Sequence, residues 1–222
     1  MMKLGKMIIL NVIILLVLVG GGFGAYAYYN NAVNYLSTDN AQISGQQVSI
    51  VAPATGKLTD WNGKEGSSYS KDQQIGTVLA AGTGTGAAAA PTNIPVTMPS
   101  NGTVVQSNAV KNSFVAAGTP LATVYDLSNL WVTANIDETK IDDIATNQDV
   151  DIYVDAFPNT TLKGKIETIG LATAGTFSLL PTSNTSGNYT KVTQVIPVKI
   201  SIDDAKGLNL VPGMNVTVRI HK

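Results

Sequence analysis

The sequence predicts a mainly β protein carried behind one amino-terminal transmembrane helix. Three observations predict it. An uncharged apolar stretch fills the chain before residue 30. Beyond residue 40, apolar residues alternate in short runs separated by Gly, Pro, Asn and Asp. Between those runs a segment recurs at a constant offset of 46 residues.

Met7 to Tyr29 carries no charged side chain. These 23 residues rise about 35 Å as a helix, enough to cross a hydrocarbon core. Met7, Leu10, Leu15, Val19, Phe23 and Tyr29 are the candidate anchor residues, and Tyr26, Tyr28 and Tyr29 suit an outer interfacial belt. Lys3 and Lys6 precede the stretch and the next charge is Asp39. The positive-inside rule keeps the amino terminus in the cytoplasm and places the bulk of the chain on the extracytoplasmic face of the cell membrane. A second reading stays open: Met7–Val19 as the apolar region of a signal peptide, with Ala25-Tyr26-Ala27 as its cleavage site. Both export residues 31–222.

The exported strands read from their alternation. Examples are Val48-Ile50-Ala52, Val150-Ile152-Val154, Val192-Ile196-Val198-Ile200 and Met214-Val216-Val218-Ile220. Period-2 runs between turn residues form half-buried antiparallel strands. The one helical stretch expected outside the anchor is Glu138–Ala145, with Asp137 as N-cap and Asn147 in the left-handed position that ends it.

Pro53–Val78 aligns with Pro99–Val124 without a gap. Pro53/Pro99, Gly56/Gly102, Asn62/Asn108, Ser67/Ser113, Thr77/Thr123 and Val78/Val124 are identical, and Leu58/Val104 and Ile75/Leu121 keep the apolar pattern. Each copy reads as strand, turn, short strand, turn, strand. Neither has apolar residues enough for a core of its own, whereas two copies facing each other as a sandwich do. Between them lies Ala80–Asn93, rich in Gly, Ala and Thr and uncharged. Its glycines lack the Lys-Ser/Thr pair and capped helix of a phosphate loop, so it reads as a connector.

Composition removes whole classes of function. The chain has 222 residues, 13% charged and 44% apolar, with net charge −1 and Arg219 as its sole arginine. No footprint for nucleic acid exists. Without cysteine, thiolate metal sites and cysteine nucleophiles are excluded. The single histidine, His221, is the penultimate residue and reads as a solvated group at a frayed terminus. Acid–base catalysis by histidine has no player. The acidic group Asp137, Glu138, Asp142 and Asp143 reads as a solvated helix face, because the oxygen-ligand loop of a calcium site is missing. Trp61 and Trp131 read as packing residues rather than sugar platforms. No catalytic, cofactor or metal residue is proposed, and the chain is not expected to be an enzyme.

The two half-motifs together resemble the lipoyl-like (barrel-sandwich hybrid) domain. No lysine lies between Lys71 and Lys111, so the tip joining the copies cannot carry lipoate or biotin. Further motifs resemble the EmrA/HlyD type of membrane fusion protein, the adaptor of efflux pumps. Ser37-Thr38-Asp39-Asn40-Ala41 is similar to the family's approach to its first half-motif. Leu130-Trp131-Val132-Thr133-Ala134-Asn135 and Asp137-Glu138-Thr139-Lys140 look like the opening of its β-barrel domain. Val154-Asp155-Ala156-Phe157-Pro158, Gly164-Lys165-Ile166-Glu167, Phe177-Ser178-Leu179-Leu180-Pro181 and Val211-Pro212-Gly213-Met214-Asn215-Val216 follow in family order. The resemblance implies residues 1–30 as cytoplasmic tail and anchor, 37–127 as the lipoyl-like domain and 128–222 as a small antiparallel β-barrel domain.

Three departures stand out. The family's helical hairpin is absent, with 80–93 in its place, which argues against an outer-membrane channel as partner. Val195 follows Gln194 where the family has Arg, and Asn147 replaces a Gly. The resemblance implies a non-catalytic adaptor for multidrug or small-molecule efflux. Its partner would be a multispanning permease, first of the EmrB-like major facilitator type and second an ABC transporter. It also implies a homo-oligomer, although no heptad seam sets a number. The candidate partner surface is the long loop Phe177–Lys191. Its residues are Phe177, Ser178, Leu179, Leu180, Pro181, Asn184, Gly187, Asn188 and Lys191, with Gln194 beyond. The other reading folds its apolar residues under the barrel as a satellite cluster. A membrane-tethered structural or adhesive β-module without a transporter is the alternative function.

Overall fold

A computed structural model describes the backbone of residues 4–81, 90–177 and 193–222, and the side chains of the same residues except 4–10, 27, 28, 30–32 and 177. Helix α1 spans Leu4–Asn34 and passes directly into strand β1, Tyr35–Val51. Then come β2 (Gly56–Trp61), β3 (Ser68–Tyr69), β4 (Gln74–Ala80), β5 (Thr92–Thr97), β6 (Gly102–Ser107), β7 (Phe114–Val115) and β8 (Pro120–Asp137). Strands β9 (Asp149–Val154), β10 (Thr161–Ile169), β11 (Val195–Ser201) and β12 (Asn215–His221) complete the chain. It divides into two compact units, one of Ile43–Trp131 with Leu208–Gly213, the other of Met1–Gln42, Val132–Gly207 and Met214–Lys222.

The first unit is a sandwich built twice from one pattern. One sheet has the order β5-β4-β2-β7; in the other, β8 pairs with β6, β6 with β3, and β1 with β8. The 46-residue offset maps β2-β3-β4 onto β6-β7-β8, the strand, short strand, strand order expected of each copy. It also maps the hydrogen bonds. Gly66 N–H donates to Val104 O at 2.8 Å, and Asn112 N–H to Leu58 O at 2.7 Å. Asp72 N–H donates to Met98 O and Gly118 N–H to Ala52 O, both at 2.8 Å. Each pair exchanges donor and acceptor between copies, as a two-fold axis requires. A bulge falls between Leu58 and Asp60 on β2 and between Val104 and Gln106 on β6.

Both copies close the same turns in the left-handed region: Gly66 (φ 79°) with Asn112 (φ 71°), and Asp72 (φ 64°) with Gly118 (φ 82°). Gly, Asn and Asp share these positions because they tolerate that conformation best. The core lies between the sheets. Leu58, Ile75, Val78, Val104, Leu121 and Val124 are buried, and the repeat extends upstream to Ile50/Val96 and Ala52/Met98. Each large side chain among them stabilises the fold by about 1.5–3 kcal/mol through burial. The pairing of copies therefore supplies the core that neither has alone.

The second unit is a closed barrel of six strands, β1-β12-β9-β10-β11-β8, with β1 and β8 paired to complete the circuit. Alternation fills it: Val150, Ile152 and Val154, Val198 and Ile200, and Val216, Val218 and Ile220 all point inward. Ile196 and Met214, expected in the same series, are half-buried.

Three expectations change. The segment after Asp137 is a 3₁₀ turn, Glu138–Asp143, rather than an α-helix. Asp137 makes no side-chain cap bond; its carboxylate lies 3.7 Å from Lys140 Nζ instead. Ile144 is extended and buried, which stops the turn before a second helical turn forms. Asn147 does take a positive φ, 68°, with its N–H bonded to Ile166 O. The connector expected over 80–93 is shorter than that, because Ala80 pairs with Thr92 and extends the β4–β5 ladder into it. Residues 82–89 lie outside the described set. His221 is not frayed: it closes β12 opposite Tyr35. The stretch Met7–Tyr29 lies within α1, and among the described residues no helix is long and apolar enough to cross a membrane.

Candidate partner surface

The junction between α1 and the barrel is closed by the carboxyl terminus. Asn34 O accepts the N–H of Lys222 at 2.9 Å, so β12 ends where the helix does. Tyr35 is enclosed there. The Arg219 guanidinium stands 3.7 Å from its ring centroid, and His221 meets the ring edge-on at 4.8 Å. His221 Nε2 lies 3.0 Å from Asp151 Oδ2, whose other oxygen takes Lys163. Lys222 reaches Asp143 at 2.6 Å. Burial opposes the charge on Asp151, but hydrogen bonds with Lys163 and His221 outweigh it and hold the carboxyl below the usual aspartate range. Asp149 is lowered by its hydrogen bond from Lys165, and the ammonium of Lys165 is raised by the same bond. The contacts of Asp151 and Asp149 join neighbouring strands, and Lys222–Asp143 ties the end of β12 to the 3₁₀ turn; their chemistry is structural. No group of three or more acidic, His or Cys side chains is placed to hold a metal among the described residues.

The stems of the long loop leave the barrel between the 3₁₀ turn Ala174–Phe177 and β11. Thr176 N–H donates to Thr173 O at 3.0 Å, and their hydroxyls meet at 3.1 Å. At the other stem Gln194 O accepts the N–H of Glu138 at 2.9 Å, and the Gln194 side chain lies against Gly175. Phe177 is the last residue of the turn. Ser178, Leu179, Leu180, Pro181, Asn184, Gly187, Asn188 and Lys191 lie outside the described residues. The reading from sequence missed Leu171, which is fully exposed at the root of the first stem. The signal was present: a lone leucine between Gly170 and small residues, with no alternating partner to bury it.

Of the anchor residues, Met7 and Leu10 have no described side chain. Leu15, Val19, Phe23 and Tyr29 are 62%, 63%, 74% and 67% exposed. Val12 to Val19 are exposed on every side of α1, so no protein face covers the helix.

The sandwich matches the family model for the YhbJ barrel-sandwich hybrid domain over residues 46–126, and the barrel matches that for AAEA-like β-barrel domains over 129–221. A duplicated sandwich followed by a six-strand barrel, both matched, defines a membrane fusion protein of the efflux class. The chain belongs to the YhbJ family of efflux system components. It is 40% identical to the efflux system component YhbJ of Bacillus subtilis over 219 residues, covering 99% of this chain and 94% of that one. It is 38% identical to the colistin resistance protein EmrA of Acinetobacter baumannii over 126 residues, covering 56% of this chain and 36% of that one. The chain thus spans nearly all of YhbJ but about a third of that EmrA. The membrane fusion protein Spr0693 of Streptococcus pneumoniae shares the fold, with TM-score 0.58 and 13% identity over 85% of this chain and 98% of the other. The chain is accordingly a non-catalytic component of an efflux system.

Proposed function

We propose that this chain is a single-pass adaptor, held by α1 in the cell membrane, that works beside a multispanning permease on the extracytoplasmic face. One observation carries the reading: α1 presents apolar side chains all round and enters β1 with no linker. Such a helix needs an apolar surrounding, and the described residues of the chain supply none. The divisions 1–30, 37–127 and 128–222 follow as tail and anchor, lipoyl-like domain and barrel domain, with 80–93 in place of a helical hairpin. Anchoring raises the local concentration, so weak contacts with the permease suffice.

The permease-facing surface is the loop 177–191 with Leu171 at its root. An EmrB-like major facilitator is the first partner, since EmrA-named proteins recur among the relatives; an ABC transporter is the second. Adaptors would assemble as a homo-oligomer, without an outer-membrane channel.

The test is photocrosslinking in native membranes, with p-benzoylphenylalanine in place of Leu171 or Leu180. The reading expects one dominant adduct containing a permease. Adducts only with copies of the chain would favour the structural or adhesive module. A mature chain that begins at Tyr28 would replace the anchor by a cleaved signal segment.

A further inference from the structure

The duplication gives two copies of one backbone pattern, and their side chains differ. Beside β2 and β4 lies a groove of about 900 Å³, within the range of small-molecule sites. Its floor depends on Gly56: a Cβ there would sit 2.2 Å from Leu79 O, so only glycine lets β2 lie this close to β4. Its walls are Leu79, Ala80, Pro91, Ile94 and Phe114, and Lys57 is the single charged lining residue. Phe114 is 75% exposed, and no described residue covers its ring. Lys57 makes no ion pair among the described residues, and 82–89 contain no charge to give it one.

The other copy serves as an internal comparison. At the offset of 46 residues, Lys57, Leu79, Ala80 and Phe114 correspond to Thr103, Tyr125, Asp126 and Ser68. The same backbone there carries hydroxyls and an acid. The apolar, cationic character of the first groove is therefore not imposed by the fold. An unpaired cation at the edge of hydrocarbon walls complements one kind of ligand, an apolar body with a negative group.

We propose that this groove binds apolar organic anions, with Lys57 taking the charge and Phe114, Leu79 and Ile94 the hydrocarbon. The probe is 4-phenylbutyrate, with 4-phenylbutylamine as its cationic counterpart. Binding is measured by isothermal titration calorimetry on the full chain in phosphatidylcholine nanodiscs, with empty nanodiscs as blank. Expected is saturable binding of the carboxylate in preference to the amine. Lys57→Gln weakens it about threefold, the worth of an exposed charge pair. Phe114→Ser weakens it about tenfold, as lost ring burial implies. Thr103→Val, at the corresponding position of the other copy, leaves it unchanged. Both groove residues are exposed, so neither change threatens folding, and melting curves verify this. Absent saturable binding, equal binding of the amine, or indifference to either groove substitution overturns the proposal.

Discussion

Trp61 donates its indole N–H to Ser107 Oγ at 3.0 Å, and the two residues occupy the same position in the two half-motifs. The bond therefore crosses the pseudo-two-fold axis of the sandwich. The indole lies against Gly63 and Gly76, where an added Cβ would come within 2.5 Å and 2.9 Å of the ring. Trp61→Ala is expected to lower stability by about 3 kcal/mol. Ser107→Ala removes one acceptor and costs about 1 kcal/mol. Denaturant unfolding followed by circular dichroism reads both. Equal effects from the two would mean that the bond, not the packed ring, dominates.

The left-handed turn positions predict a swap. Gly118 stands at φ 82° where its counterpart Asp72 stands at φ 64°. Gly118→Asp should change stability by only a few tenths of a kcal/mol, whereas Gly118→Val should cost about 1 kcal/mol or more. Thermal melts of the two variants side by side decide it; similar losses would show that φ does not govern this turn.

Acid should loosen the barrel through Asp151. Its folded pKa is depressed, so its contribution is present above the ordinary aspartate value of 3.8 and is lost as pH falls through the folded value. Asp151→Asn lacks that contribution at neutral pH and should be the less stable protein there. As pH falls through that folded value the two stability curves should converge. Urea midpoints across pH 2–7 provide the measurement, and parallel curves would exclude Asp151 as the source.

Loop variants separate binding from folding. If the loop is the partner surface, Phe177→Asp and Leu180→Asp should abolish capture of the permease from solubilised membranes and leave the melting temperature within about 2 °C. A fall in melting temperature together with lost capture would instead support the satellite cluster beneath the barrel.

The core was legible where period-2 alternation coincided with burial, as at Val150, Ile152 and Val154. The repeat was legible by identity but undercounted. Gly66 against Asn112 and Asp72 against Gly118 look like mismatches, yet each pair satisfies one backbone requirement. Strand β5 escaped because its first residues, Thr92 and Asn93, read as connector and Pro95 interrupts the alternation; its strand character comes from pairing with β4, a tertiary effect. The 3₁₀ turn escaped because acidic residues and Lys140 suit either helix, and only burial of Ile144 decides between them. His221 looked like a loose end because sequence position alone does not reveal a strand partner. Of the partner surface, the loop was read from its length, while Leu171 lacked a periodic context to mark it.

The helix-to-barrel junction has a mechanical consequence. Tyr35, Leu36, Ser37 and Thr38 pair in unbroken register with His221, Ile220, Arg219 and Val218. Tension applied to β1 along its own axis at Tyr35 thus loads these pairs together in shear rather than peeling them singly. A pull on α1 is therefore passed into β12, whose Ile220 and Val218 are rooted in the barrel core, and not borne by the first residues of β1 alone.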